Sequence, residues 1–180
     1  MIRKIKKWFH YYFLNKELKF HKPPRQIVKF EEAKEIGIIF DATDTDQTAV
    51  VNQFADSLRG TKKKISMFGF YNFPRPAINF NFPYFNQKSL NWYLEPNGIL
   101  VKEFIEKKFD ILINVSVSEN LPLEYISALS NASYRIGLYN PNKLFCYDFM
   151  IDLKGKNNLP KFTEQVKRSE EHTSELQSPY

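Results

Sequence analysis

Residues 109–139, FDILINVSVSENLPLEYISALSNASYRIGLY, constrain the fold more than any other stretch of the chain. The apolar run Ile111, Leu112, Ile113, Asn114 and Val115 is too short for a helix and rich in β-branched residues. Such a run reads as a strand buried on both faces, the habit of parallel sheets. The chain then turns polar at Ser116, Ser118, Glu119 and Asn120. Asn120 suits a helix N-cap, and Pro122 falls in the first turn, where proline is tolerated. Leu121, Tyr125, Ile126 and Leu129 follow at helical spacing, and 134–138 is a second short strand. Strand, helix and strand in about 30 residues make a βαβ unit with a right-handed crossover.

The other periodicities extend this unit into one α/β domain. Residues 2–20 suit an amphipathic helix, with Ile2, Ile5, Trp8, Phe9, Tyr12 and Phe13 on one side and Arg3, Lys4, Lys6, Lys7 and His10 on the other. Pro23 and Pro24 end it. Residues 36–40 form the first core strand, and Asp41 to Asp46 a polar loop. Asp44 or Thr45 can cap a helix that buries Val50, Val51, Phe54 and Leu58 and stops at Gly60. Residues 65–70 are the second strand, and Lys62, Lys63 and Lys64 its solvated start. The alternation over 78–82 suits an outer strand, and the aromatic segment around it a loop covering the core. Leu100, Val101, Phe104, Ile105 and Phe109 mark another helix. A last strand is expected over 145–153, and Phe162 and Val166 begin a final helix. This order predicts a Rossmann-like, doubly wound, mostly parallel sheet in the strand order 3-2-1-4-5-6.

Charge divides the chain. Residues 1–29 hold nine Lys or Arg against one acid, Glu17, whereas residues 30–167 hold sixteen of each sign. The basic character therefore belongs to an N-terminal arm over 1–29 and not to the α/β body over 30–167. Residues 168–178, RSEEHTSELQS, are what a common short-read sequencing adapter encodes, and Pro179 fits its next base. Residues 168–180 are accordingly set apart as a non-native tail. On that reading His172 is no candidate and the natural C-terminus lies outside the sequence. The single cysteine, Cys146, fits a reducing cytoplasm and a small core residue. No apolar run approaches the ~18 residues of a membrane-spanning helix.

In a doubly wound sheet, ligands bind outside the carboxyl ends of the strands, where the strand order reverses. That crevice is expected between Asp41, Thr43 and Asp44 after the first strand and Ser116, Ser118, Glu119 and Asn120 after the fourth. Its chemistry is sparse. The loop 42–46 has no glycine and two acids, so it would repel a phosphate, and the chain carries no glycine-rich phosphate motif. His10 and His21 lie in the arm, so the body lacks the parts for a zinc site or a Ser-His-Asp or Cys-His device. Asp41 with Glu119 could act as an acid/base pair or hold a hard cation; helix-end complementarity is the plainer role. No cofactor, metal or catalytic residue is assigned, and no hydrolase, metalloenzyme or nicotinamide-dependent activity is expected.

The arm admits several uses. Arg3, Lys4, Lys6 and Lys7, with the N-terminal amine and Trp8, suit an anionic surface, such as the inner face of the membrane. Alternatively, Trp8, Phe9, Tyr12 and Phe13 dock onto the body's own sheet or a partner copy and leave the lysines in water. Nucleic acid is not an expected partner, because no recognition motif is present.

Two resemblances attach to these residues. Residues 36–41 (IGIIFD), Leu90-Asn91-Trp92, 109–113 (FDILI) and 120–130 (NLPLEYISALS) together resemble an uncharacterised bacterial family of short α/β proteins. That likeness covers about 1–167 and implies a fold without an activity. Residues 109–113, Ala128 to Ala132 and Arg135-Ile136-Gly137 also resemble the N-terminal half of heptosyltransferase-like GT-B glycosyltransferases. The Gly-Asp of that family's first loop is replaced here by Thr43-Asp44-Thr45-Asp46, and the second, nucleotide-sugar-holding domain has no counterpart. The neutral body and basic arm read first as a non-catalytic cytoplasmic binding or interaction module; the alternative, following the second likeness, is a reduced glycosyltransferase-like domain that binds a sugar or nucleotide at the switch point, with a partner chain where one is needed.

Overall fold

The structure is a computed structural model that describes residues 2–60, 62–156 and 158–175, with side chains described as far as residue 169. Met1 with its amine, the His172 side chain and residues 176–180 of the tail lie outside the described residues. The elements run α1 (Ile2–Phe20), β1 (Glu35–Asp41), α2 (Thr45–Arg59), β2 (Lys64–Tyr71), β3 (Tyr84–Asn86), α3 (Ile99–Glu106), β4 (Ile111–Val115), α4 (Leu121–Leu129), β5 (Tyr134–Leu138), β6 (Phe149–Ile151) and α5 (Leu159–Glu175).

The strands form one six-stranded sheet in the order β3-β2-β1-β4-β5-β6, parallel throughout. This is the Rossmann-like order expected from the sequence, with the switch between β1 and β4. Leu112 and Ile113 lie in the central strand β4, which is buried along its whole length. Alternation across β4 feeds two cores. Ile111, Ile113 and Val115 join Ile38, Phe54, Leu58 and Phe162 under α2 and α5. Leu112 joins Ile39, Phe104, Leu123 and Ile126 under α3 and α4. α1 lies outside α4 as a further layer, with Leu14 buried among Tyr125, Ala128, Leu129 and Cys146.

Several expectations are corrected. The outer strand is Tyr84–Asn86, not 78–82, whose Phe80 and Phe82 instead pack over the core against Tyr84 and Phe40. The last strand shrinks to Phe149–Ile151, because the turn before it sends Cys146 and Tyr147 inward. Lys63 is not simply solvated: its ammonium donates to the carbonyls of Phe30, Glu31 and Ala33, which tie the connector to β2. α3 leaves Leu100 exposed, and Phe109 falls beyond its end. α5 continues past residue 167 to Glu175, and the last side chains it buries, among the described residues, are Phe162, Thr163 and Val166.

Candidate functional site

The switch point is built by two polar caps that meet. Asn120 caps α4, accepting from the Leu123 amide at 3.3 Å, while its Nδ2 donates to Asp41 Oδ2 at 3.1 Å. The other Asp41 oxygen accepts from the Thr43 amide at 2.9 Å. Thr43 and Asp44 are used locally. Thr43 Oγ1 accepts from the Asn72 amide, and Asp44 Oδ1 caps α2 through the Asp46 and Gln47 amides. Neither side chain lines the crevice, which corrects that part of the expected wall. The physical reason is local: as an Asx cap Asp44 satisfies orphan amides of its own helix, and Thr43 satisfies the Asn72 amide beyond β2.

The first turns of α1 cross above this crevice and enclose about 560 Å³. Three cations, Arg3, Lys6 and Lys7, come from α1; Asp41, Glu119, Asn72 and Asn120 come from the strand ends. Phe70, Leu90, Leu94, Leu121 and Pro122 give it an apolar floor. Lys7 pairs with Glu119 at 2.5 Å, and that hydrogen bond holds the Glu119 carboxyl below its ordinary pKa against the opposing effect of burial. Arg3 and Lys6 make no ion pair among the described residues. Asp41 and Glu119 share the crevice with different partners, Asp41 bonded to Asn120 and the Thr43 amide and Glu119 paired with Lys7. Lys4 and Trp8 lie on the outer side of α1.

Of the aromatic side whose docking on the body is one of the readings of α1, Phe9 and Phe13 meet the body and Trp8 and Tyr12 stay exposed. His10 and Leu14 point inward, while Ile2, Ile5, Trp8 and Tyr12 are exposed. Phe9 and Phe13 of the aromatic side meet rings of the body, Trp92 and Tyr93. α4 and its neighbours offer hydrogen-bond partners that the polar side of α1 satisfies. His10 Nδ1 donates to the Tyr93 carbonyl at 3.1 Å, and Tyr125 donates to Glu17 at 2.8 Å. Burial pushes the His10 imidazole below its ordinary pKa, and Lys143 adds to that, while the Tyr93 carbonyl opposes it.

A smaller space of about 160 Å³ opens on the other side of Glu119 and Asn120, at the ends of β4 and β5. Ser116 and Ser118 line it, together with Asn114, Glu124, Lys143 and Tyr147. Asn114 Nδ2 donates to Ser127 Oγ at 3.2 Å and to Tyr147 Oη at 2.8 Å. Tyr147 can lie across β5 because residue 137 is glycine; a Cβ there would run into its ring. Asn114 Oδ1 and Ser116 Oγ are buried without a partner among the described residues. Beneath them Lys143 pairs with Glu124, and the Tyr11 hydroxyl donates to Glu124 Oε2 at 2.9 Å. Lys143 also donates to Tyr11. Burial, and then the Glu124 carboxylate, push the Cys146 thiol well up, so it stays protonated and unreactive.

Asn114 had one sequence signal, an amide inside an otherwise apolar strand. Glu124 and Lys143 carry no signal along the chain that sets them apart from other charges. Only the packing of α1 and β5 on α4 brings them together.

No curated protein matches the chain. A family model does, over residues 6–168, and it carries the description Family of unknown function (DUF6913). It spans α1 from residue 6 onward, the whole sheet and most of α5, leaving residues 1–5 and 169–180 outside the match. With a match over most of its length, the chain belongs to the DUF6913 family of unknown function.

Proposed function

We propose that the protein is a binding module whose ligand is a small organic anion of the nucleotide or sugar-phosphate class, held in the crevice between β1 and β4 under α1. One observation carries this reading: Arg3 and Lys6 face the crevice without an ion pair among the described residues, while the nearby Asp41 is already engaged by Asn120 and the Thr43 amide. Glu119, already paired with Lys7, offsets them only in part, and a phosphate accepts charge-assisted hydrogen bonds from both. The acidic loop expected to repel such a group places Asp44 on α2 instead. Phe70, Leu90, Leu94 and Pro122 offer an apolar floor to a base or ring. The adjoining chamber adds an acceptor at Asn114 Oδ1 and a hydroxyl at Ser116, which suit ligand hydroxyl groups. A sugar nucleotide is the member of this class that would use both spaces. No bond-making step is assigned to the site.

Calorimetric titration of the full chain with nucleoside mono- and diphosphates, sugar phosphates and sugar nucleotides tests this. Saturable, salt-weakened binding is expected. Arg3→Ala with Lys6→Ala should weaken it by about tenfold or more, since a hydrogen bond to a charged group contributes ~1.5–3 kcal/mol. Absence of saturable binding, or an unaffected double variant, would overturn the reading.

A further inference from the structure

We infer that the outward face of α1 docks the protein on an anionic phospholipid surface. α1 is fastened to the body by its His10 and Leu14 side, which leaves an apolar row in water on the opposite side. Ile2 is 72% exposed, Ile5 47%, Trp8 61% and Tyr12 54%. Trp8 and Tyr12 stack at 5.5 Å, and Trp8 meets Phe9 edge-on at 4.8 Å. Phe9 in turn touches Trp92, itself 55% exposed, at 4.9 Å. The patch is therefore continuous across two parts of the fold. Contiguous exposed apolar surface of this kind marks an interaction site rather than ordinary scatter.

The occupant is chosen by charge. Lys4, Lys16 and Lys19 are exposed around this row, and residues 1–29 carry nine basic residues against one acid. A second copy of the chain would bring the same lysines against each other, so self-pairing across this face is disfavoured. An anionic bilayer neutralises them, and indole and phenol rings settle at the headgroup level. Each lysine near such a surface strengthens binding by about fivefold, and salt screens the effect. Attachment would be lateral and reversible, because no helix among the described residues is long and apolar enough to cross a membrane. This face meets the crevice at Ile2, which lines both, but Ile5, Trp8 and Tyr12 do not line the crevice, which takes Arg3, Lys6 and Lys7 from the inner side of the same helix.

The test is co-sedimentation of the full chain with vesicles of phosphatidylcholine alone and of phosphatidylcholine mixed with phosphatidylglycerol, at low and high salt. Pelleting with the anionic vesicles only, reversed by salt, is expected. In a Trp92→Phe background, Trp8 emission should shift to the blue on binding. Trp8→Ser with Tyr12→Ser should weaken binding about tenfold, and Lys4→Glu, Lys16→Glu and Lys19→Glu together should abolish it. These side chains are solvent-exposed, so melting temperatures should stay near wild type and confirm that the variants fold. No pelleting with anionic vesicles at low salt would overturn the inference. So would equal binding by folded variants, self-association through Trp8, or RNA displacing the vesicles from this face.

Discussion

Asn120 and Asp41, 79 residues apart in sequence, meet at 3.1 Å across the switch between β4 and β1. The same amide side chain caps α4, so one residue closes a helix end and spans the point where the strand order reverses. Asn120→Ala removes both bonds. It should cost about 1 kcal/mol, the usual loss for an N-cap. A urea midpoint that drops with an unchanged slope is the expected result. No change would mean that water replaces the side chain at both partners.

Leu112 is 1% exposed at the centre of β4. Leu112→Ala leaves a cavity between Phe109, Leu123 and their neighbours on the α3–α4 side, with an expected cost of ~2–5 kcal/mol. An unchanged denaturation midpoint would contradict its place in the central strand.

Arg135 is the most heavily bonded charge in the body. It grips Asp148 with two bonds of 2.9 Å and donates to the carbonyls of Ser127, Ala128 and Phe145. Removing one partner of such a pair leaves the other short of compensation, so Arg135→Met should destabilise by ~3–5 kcal/mol. Arg135→Lys should recover little of this, since an ammonium cannot make the planar fork. Thermal unfolding of the two variants would show whether they fall together.

His10 makes the seating of α1 sensitive to acid. Its pKa is lowered in the folded state, so the unfolded chain binds the proton more readily. Its contribution is complete above the ordinary value of 6.5 and is lost as the pH falls from there through the folded value. Glu119, also lowered, loses its contribution only below the ordinary 4.5, whereas Glu17, raised by burial, acts with the opposite sign above 4.5. The readout is therefore the difference between wild type and His10→Asn. Stability measured from pH 7 to 5 should fall more steeply in the wild type, and parallel curves would contradict a buried neutral imidazole.

Removing residues 168–180 should leave the melting temperature within error. α5 buries Phe162 and Val166 before that point, and the exposed Arg168–Glu164 pair is of a kind that contributes at most ~0.5 kcal/mol. A clear fall would show that the end of α5 supports the fold.

Much of the sheet was legible because its signals are local. Continuous apolar runs mark 36–40, 65–70 and 111–115, and Asp44 and Asn120 mark where two helices start. The short edge strands were misplaced, because three paired residues carry too little pattern to distinguish Tyr84–Asn86 from the neighbouring alternation at 78–82. The candidate site was half legible. Topology alone put Asp41, Ser116, Ser118, Glu119 and Asn120 at the carboxyl edge, whereas Thr43 and Asp44 went to loop and cap.

The sequence by itself determined the βαβ unit, the parallel strand order and the separation of a basic helix from a neutral body, since each follows from periodicity, caps or charge along the chain. Only the tertiary structure decided which side of that helix is buried. Periodicity divides a helix into two faces but does not say what awaits them. Here Glu119, Glu124 and the Tyr93 carbonyl offer partners to Lys7, Tyr11 and His10, so the polar face docks and the aromatic row of Trp8 and Tyr12 is left in water.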